Sequence, residues 1–344
     1  MFNPDSWTLF QGLAVFSLCA LVIGVAGTRI TRVADQLADR TGLGEATVGA
    51  VLLGGATSLG GSVMSVTAAW NGNADLAVSN ALGGIAVQTF FLAVADMVYR
   101  RANLEHAAAS VPNMMQNALL IFLLGLILMA PLLPDFTLLS IHPVTPLLFC
   151  VYVYGIHLVH KSHNKPMWAP TKTSETRKDI SADVGTLPSL ARLSTEFFAL
   201  FVVLGIAGFM LEPSATAIIS ETGLTQTIVG VMLTAISTSI PELVTSVAAV
   251  RRGALTLAVG GIIGGNAFDT LFTAASDIAY RDGSIYHTMD DSTLFWVCLT
   301  LLMSAVLMMG LIRREREGPG RIGLESVINI VLYIGGAMLL LNNM

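Results

Sequence analysis

The sequence predicts an all-α integral membrane protein in which ten transmembrane helices form two inverted five-helix repeats. Composition is the first reason, because 54% of the 344 residues are hydrophobic and only 12% are charged, whereas soluble domains carry about 25% charged residues. The second reason is that the basic residues fall almost entirely in alternate loops between apolar segments. The third is that a stretch of the first half recurs in the second half.

Apolar segments of membrane-spanning length divide the whole chain. A helix needs about 20 apolar residues to cross the hydrocarbon core of a bilayer. Segments of this kind lie at 9–27, 46–70, 75–99, 114–133, 142–160, 194–211, 225–250, 254–280, 292–312 and 322–342. Asp75 stands at the start of the third segment, where we expect it to cap the helix.

The loops between these segments predict the orientation of the protein. Lys and Arg in short loops remain on the cytoplasmic side of a membrane. Of the 18 basic residues, 17 fall on one side of the predicted spans, and only Arg281 falls on the other. We therefore expect both termini outside, a cytoplasmic central loop and a location in the plasma (inner) membrane. The net charge of -5 says little about partners, because the acidic residues are spread over both sides and the basic residues serve topology, and no nucleic-acid partner is indicated.

The two halves of the sequence repeat each other at a constant offset, so that Thr41 corresponds to Thr222 and Tyr99 to Tyr280. Residues 41–99 align with residues 222–280 without a gap, and 24 of the 59 positions are identical. Because each half contains an odd number of predicted spans, the second half enters the membrane in the opposite orientation. We expect a first repeat at 1–160, a cytoplasmic linker at 161–193 and a second repeat at 194–344. Secondary transporters are built from inverted repeats and bind their substrates near the bilayer midplane, between the repeats.

Polar residues interrupt the seventh and eighth predicted spans, where they are costly unless they have a partner, a cavity or an ion. Pro241 is expected to break or kink the helix between residues 237 and 242, because proline lacks the backbone donor and obstructs the preceding turn. Glu242 brings a carboxylate to this break. In the next span, Asn266 and Asp269 are three residues apart and therefore lie on one helical face.

These residues carry a resemblance to a known family. The sequences STSIPE at 237–242 and GGIIGGNAFD at 260–269 resemble the alpha-repeats of the sodium/calcium exchanger family, within the cation/calcium antiporter superfamily. The family pattern is approximately G-T-S-x-P-E, followed by G-N-x-x-G-S-N-x-x-[ND]. The resemblance implies a cation site whose principal ligand is Glu242. The other implied oxygen ligands are Asp269, Asn266, Thr238 and Ser239, with Thr57 and Ser58 from the first repeat.

The first repeat departs from the family pattern. Gly60 and Gly61 replace the Pro-Glu pair, Ile85 replaces an asparagine, and Gln88 occupies the following ligand position. One wall of the predicted site is therefore neutral. Calcium binds six to eight oxygens, so hydroxyls, carbonyls or water must complete its shell here. A site with fewer charges also suits sodium, or a proton exchanged at one buried carboxylate.

We expect a secondary cation antiporter that moves calcium or another cation against sodium or protons by alternating access. Its partners would be inorganic cations and the lipid bilayer, with no cofactor and no enzymatic reaction. Two alternatives stay open: a proton-coupled exchanger of sodium or another monovalent cation, and a non-transporting membrane scaffold derived from the family. Asp96 and Asp277, which recur in both repeats, are expected either at the mouths of access routes or as partners of a helix end or a basic residue.

Overall fold

The computed structural model describes residues 7–41, 55–99, 102–164, 168–171, 173, 188–318 and 322–342. Within these ranges the fold is almost entirely helical, and its only extended pairing is an isolated β-bridge between Leu138 and Ile141. The helices of the first half are α1 (Leu9–Thr41), α2 (Leu59–Trp70), α3 (Ala74–Val98), α4 (Leu104–Ala108), α5 (Val111–Met129) and α6 (Val144–Asn164). Those of the second half are α7 (Leu190–Thr222), α8 (Gln226–Thr238), α9 (Ile240–Arg252), α10 (Leu255–Ala279), α11 (Asp291–Arg313) and α12 (Leu324–Asn342).

Eight of the described helices are long and apolar enough to cross a membrane. Helices α8 and α9 are bent by 44° where they join, and they make a ninth span if the pair counts as one. The predicted span at 46–70 lies partly outside the described residues, and its described part is a helical turn at 55–57 followed by α2. The protein is therefore a multi-pass membrane protein.

The helices of the two halves recur at the same constant offset as the sequence. Helices α1 and α7 both have 33 residues, and α3 and α10 both have 25. Both ends of each pair are corresponding positions of the sequence repeat. The turns also correspond, because Gly72 and Gly253 have φ values of +83° and +82°. These are left-handed conformations that glycine adopts without steric cost.

Helices α3 and α10 occupy the centre of the molecule. Most of their residues are buried, whereas most residues in the apolar stretches of α1 and α7 are not. Buried residues run the whole length of α3 and α10, as expected of helices surrounded by protein. Polar side chains on these two helices are therefore held at the core of the protein.

Two sequence-based expectations about helix ends are wrong. Asp75 is not the cap of α3, because Asn73 is the N-cap residue and Asp75 lies in the first turn, where it accepts a hydrogen bond from the backbone of Asp290. The span predicted at 194–211 continues to Thr222 through Glu212 and Pro213. Both side-chain oxygens of Glu212 accept hydrogen bonds from amides in the turn between α2 and α3. Because those bonds satisfy the buried carboxylate, the helix does not need to end there.

Candidate functional site

Two helix breaks meet at the core. The first lies at Ser58, before α2, with φ -86° and ψ 4°. The second lies at Ser239, between α8 and α9, with φ -97° and ψ 2°. Pro241 is in the first turn of α9, which confirms the break expected there from the sequence. Ser58 has no proline near it, so proline alone does not explain this geometry.

A small cavity of about 10 Å³ lies between the breaks and the central helices. Its volume is close to that needed for one water-sized particle. The described residues that line it come from both halves of the chain. They are Ser58, Gly61, Asn80, Ala81, Gly84, Gln88, Thr238, Ser239, Glu242, Asp269 and Phe272.

Two buried carboxylates flank this cavity. Glu242 is 5% exposed and accepts a hydrogen bond of 3.3 Å from the hydroxyl of Ser58. Asp269 is 2% exposed and accepts a hydrogen bond of 2.6 Å from the side-chain amide of Gln88. The two carboxylates are close enough to repel each other. Two carboxylates this near and this buried can both be ionised only if a cation balances them. Without a cation, at least one of them carries a proton.

Four buried oxygens around the cavity have no hydrogen-bond donor within the described part of the chain. They are Glu242 Oε2, Asp269 Oδ1, Gln88 Oε1 and Asn80 Oδ1. Buried polar atoms normally have partners, so four acceptors on one small cavity are unusual. Oxygen atoms of carboxylates and amides are the ligands of hard cations. The chemistry of the donor set therefore fits a cation.

The structure brings together most of the residues implied by the resemblance. Glu242, Asp269, Thr238, Ser239 and Ser58 line the cavity. The hydroxyl of Thr57 also reaches the carboxylate of Glu242.

Asn266 is placed differently from the other predicted residues. It is fully buried, but its amide nitrogen donates to the hydroxyl of Thr89 at 3.1 Å. Its side chain does not line the small cavity. Its Oδ1 atom is buried and has no hydrogen-bond donor among the described residues.

Gln88 and Asn80 line the cavity but were not among the predicted ligands. The repeat alignment contained the signal for Gln88, because it occupies the position that corresponds to Asp269. The amide nitrogen of Asn80 donates to Gly61 O at 3.1 Å and to Ser65 Oγ at 2.8 Å. These two bonds determine the orientation of the amide, and Asn80 Oδ1 has no donor among the described residues.

A second and larger cavity of about 680 Å³ adjoins the small one. Glu242 lines both cavities. The larger cavity lies between α1, α9 and the first part of α10, and its lining includes the exposed Arg251 and Arg252. Glu242 thus lies between the core and the end of the molecule that carries Arg251, Arg252 and Arg313, which we call the arginine-rich end.

Asp96 and Asp277 hold chain segments together away from both cavities. Asp96 accepts hydrogen bonds from the backbone N–H groups of Leu104 at 2.6 Å and Gly323 at 2.8 Å. Asp277 accepts hydrogen bonds from the backbone N–H groups of the residues that correspond to these two in the repeat, Ile285 at 3.0 Å and His142 at 2.9 Å. Neither aspartate lines a described cavity. Of the two expectations for this pair, the contacts agree with a role at helix ends.

Comparisons with known proteins place this site in context. The family model described as sodium/calcium exchanger protein matches residues 11–161 and 195–341. The chain is 24% identical over 339 residues to the protein named "Putative antiporter CaxA" from Alkalimonas amylolytica, and the match spans 96% of this chain and 98% of that protein.

Solved structures share the fold. The H+/Ca2+ exchanger CAX aligns with a TM-score of 0.65 at 14% identity, over 96% of this chain and 84% of that chain. The sodium-calcium exchanger NCX_Mj aligns with a TM-score of 0.61 at 15% identity, over 96% of this chain and 99% of that chain.

Proposed function

The chain belongs to the sodium/calcium exchanger family, and we propose that it is a secondary active antiporter that moves calcium or another cation against sodium or protons by alternating access. The observation that carries this proposal is the small cavity flanked by Glu242 and Asp269, at which four buried oxygens have no donor among the described residues. The protein would carry out transport and no enzymatic reaction.

The proposed architecture is ten spans in two inverted repeats, at 1–160 and 194–344, joined by a cytoplasmic linker at 161–193. The helix ends that recur at the offset of the sequence repeat support this division. The arginine-rich end would face the cytoplasm, and both termini would lie outside the plasma (inner) membrane. In this arrangement the two helix breaks approach the midplane from opposite sides.

The cation would bind between Glu242 and Asp269. Neutral oxygens would come from the hydroxyls around the two breaks and from the amides of Gln88 and Asn80. We assign Asn266 a supporting position, because its amide nitrogen donates to Thr89 and its side chain does not line the small cavity. The larger cavity would be the route between this site and the cytoplasm, since Glu242 lines both cavities.

The neutral wall favours a second candidate, a proton-coupled exchanger of sodium or another monovalent cation. Position 61 is glycine and position 88 is glutamine, so two carboxylates, Glu242 and Asp269, line the small cavity among the described residues. Two negative charges balance one calcium ion, or one monovalent cation together with one proton. A site that binds calcium would protect the purified protein against thermal unfolding when calcium is added.

Flux measurements in everted membrane vesicles test the proposal. Sodium or proton gradients would be imposed, and uptake of calcium, sodium and potassium measured for the wild type and for Glu242→Gln. We expect the variant to lose flux, because an amide cannot supply the negative charge that a cation needs at this site.

Glu221→Gln is the matched control, because Glu221 is exposed at the end of α7 and lines neither cavity. It should keep wild-type flux. Full flux in Glu242→Gln would disprove the site. Folded wild-type protein that moves none of these cations would favour the scaffold alternative.

A further inference from the structure

A cluster of three buried carboxylates lies at the arginine-rich end, apart from the cation cavity. Asp96 is at the end of α3, Glu105 is in the short helix α4, and Glu325 is in the first turn of α12. Their exposed fractions are 0%, 3% and 6%. Asp96 and Glu325 both act electrostatically on Glu105. Three buried carboxylates this close cannot all be ionised at low cost.

One oxygen of the cluster has no partner among the described residues. Asp96 accepts backbone hydrogen bonds at both oxygens. Glu105 Oε1 accepts a hydrogen bond of 2.8 Å from the hydroxyl of Ser326, whereas Glu105 Oε2 is buried without a partner there. A Cβ atom built on Gly323 would lie 2.8 Å from Glu105 Oε2 and 3.5 Å from Asp96 Oδ2. The free oxygen of Glu105 therefore faces the same glycine as the carboxylate of Asp96.

Arg313 of α11 supplies positive charge to the cluster, but at its edge. Its Nη1 lies 3.6 Å from Glu325 Oε1, and its Nη2 lies 3.1 Å from Glu315 Oε1. The Arg313 side chain is 51% exposed, so water screens its charge. Arg313 compensates Glu325 rather than Glu105.

In the described part of the chain, His106 and Arg314 also lie close to Glu105, and both are engaged with other groups. The Nδ1 atom of His106 is 2.6 Å from the carbonyl oxygen of Arg314, and its Nε2 atom is 3.2 Å from the hydroxyl of Thr173. The guanidinium of Arg314 donates to the carbonyls of His106 and Thr171. Helix α10 contributes the apolar residues Ala258 and Ile262 to the packing here.

In the second half of the chain the same arrangement recurs with a tyrosine in place of the glutamate. At the constant offset of the repeat, Asp277 corresponds to Asp96, Tyr286 to Glu105, and Thr145 to Ser326. Thr145 Oγ1 donates to Asp277 Oδ2 at 2.6 Å and lies 2.8 Å from the hydroxyl of Tyr286. A hydroxyl has one hydrogen, and Thr145 uses it on Asp277. Tyr286 is therefore the donor to Thr145.

The same reasoning applies to the carboxylate cluster. The hydroxyl of Ser326 reaches both Glu105 and Asp96, but its single hydrogen can serve only one of them. If Glu105 carries a proton, it can donate to Ser326, and Ser326 can donate to Asp96. This series of hydrogen bonds has the same order of donors as the one in the second half. An ionised Glu105 cannot act as a donor, so this series of hydrogen bonds is interrupted when the proton leaves.

We propose that Glu105 is a proton-binding site, and that its proton completes a hydrogen-bond chain from Glu105 through Ser326 to Asp96. These hydrogen bonds hold α4 and the start of α12 against the end of α3. Burial, and then the charge of Asp96, raises the pKa of Glu105 from 4.5 to about 7. The site thus titrates near neutral pH. Helix α4 also packs against Ala258 and Ile262, which line the larger cavity.

Thermal unfolding at several pH values tests this site. The folded protein keeps a proton on Glu105 that the unfolded chain releases above its ordinary pKa of 4.5. The stability from this proton is complete below about pH 4.5, falls as pH rises to about 7, and is lost above that. Glu105→Gln carries a permanent donor and does not titrate. Its melting temperature should match the wild type at about pH 5 and exceed it by several degrees at about pH 8.

Glu105→Tyr is the second variant, because it copies the residue in the other half. It should show the same pH-dependent difference from the wild type, so the test does not depend on one substitution folding well. Glu221→Gln, which changes an exposed glutamate, should follow the wild type at every pH. A difference between the wild type and both Glu105 variants that stays constant from about pH 5 to about pH 8 would overturn the proposal.

Discussion

Gln88 and Asp269 are corresponding residues of the two halves, and they are bonded to each other across the core. The hydrogen bond from Gln88 Nε2 to Asp269 Oδ2 is 2.6 Å long. It leaves Asp269 Oδ1 and Gln88 Oε1 without described donors on the cavity. An amide in this position orients the carboxylate and adds no charge. The residue at position 88 therefore sets how much negative charge the cavity contains.

Gln88→Glu should shift the cation preference of the protein. The change adds a third carboxylate and removes the donor to Asp269, so the site needs more positive charge to be occupied. We expect calcium to compete with sodium at least tenfold better than in the wild type, which corresponds to about 1.4 kcal/mol. Competition between the two ions in vesicle flux measures this shift.

Gln11→Glu makes the same substitution at an exposed position of α1 and serves as the control. It should leave the preference unchanged. If Gln88→Glu keeps the wild-type ratio of calcium to sodium flux, residue 88 does not determine the charge of the site.

The sequence predicted the placement of a residue well where that placement depends on its neighbours in the chain. Ser239, Pro241 and Glu242 are neighbours in the chain, so their pattern predicted both the break and a buried carboxylate beside it. The orientation of Asn266 was beyond the sequence, because it depends on the hydroxyl of Thr89 on another helix. Whether this set binds a cation stays a prediction.

At the scale of the elements, close packing of backbones accompanies the first helix break. Gly60 lies two residues after the break at Ser58, and its carbonyl faces Gly208 of α7. A Cβ atom on Gly208 would collide with Gly60 O. Small residues of this kind allow membrane helices to approach closely. The break without a proline thus lies against a helix whose backbone leaves no room for a side chain.

Gly208→Ala should destabilise the protein. The added methyl group has to push α7 away from the carbonyl of Gly60, and overpacking of this kind costs about 1–3 kcal/mol. Thermal unfolding of the purified protein measures the loss.

Gly205→Ala is the matched control, because no described atom lies within 4 Å of a Cβ atom built there. It is one turn away on the same helix and should be neutral or stabilised by up to about 1 kcal/mol, since alanine favours helix. Equal melting temperatures for the two variants would contradict the proposed contact.

Hydropathy predicted the central helices more accurately than α1 and α7. The spans expected at 75–99 and 254–280 agree with α3 and α10 to within one residue at each end. The spans expected at 9–27 and 194–211 are much shorter than α1 and α7, which both have 33 residues. Hydropathy marks only the apolar part of a helix. The remainder of α7 contains Glu212, whose partners lie 139 and 141 residues earlier in the chain.

For the whole molecule, the constant offset between the halves relates contacts as well as helix ends. Asp96 binds the backbone of residues 104 and 323, and Asp277 binds that of residues 285 and 142. Each aspartate therefore accepts one hydrogen bond from its own half and one from the other half. Exchanging the two halves converts the partners of Asp96 into those of Asp277. Such an exchange is expected of two halves related by an approximate two-fold axis. In a membrane, inverted repeats place that axis in the plane of the bilayer.

Cysteine labelling tests this orientation with one pair of corresponding positions. Trp70 ends α2, its counterpart Arg251 lies in the last turn of α9, and both side chains are exposed. In a background where Cys19, Cys150 and Cys298 are replaced, Trp70→Cys and Arg251→Cys would be treated with a membrane-impermeant maleimide in right-side-out and everted vesicles. We expect Trp70→Cys to react only from outside and Arg251→Cys only from the cytoplasmic side. The two turns occupy equivalent places in their halves, so labelling of both from one side would exclude inverted repeats.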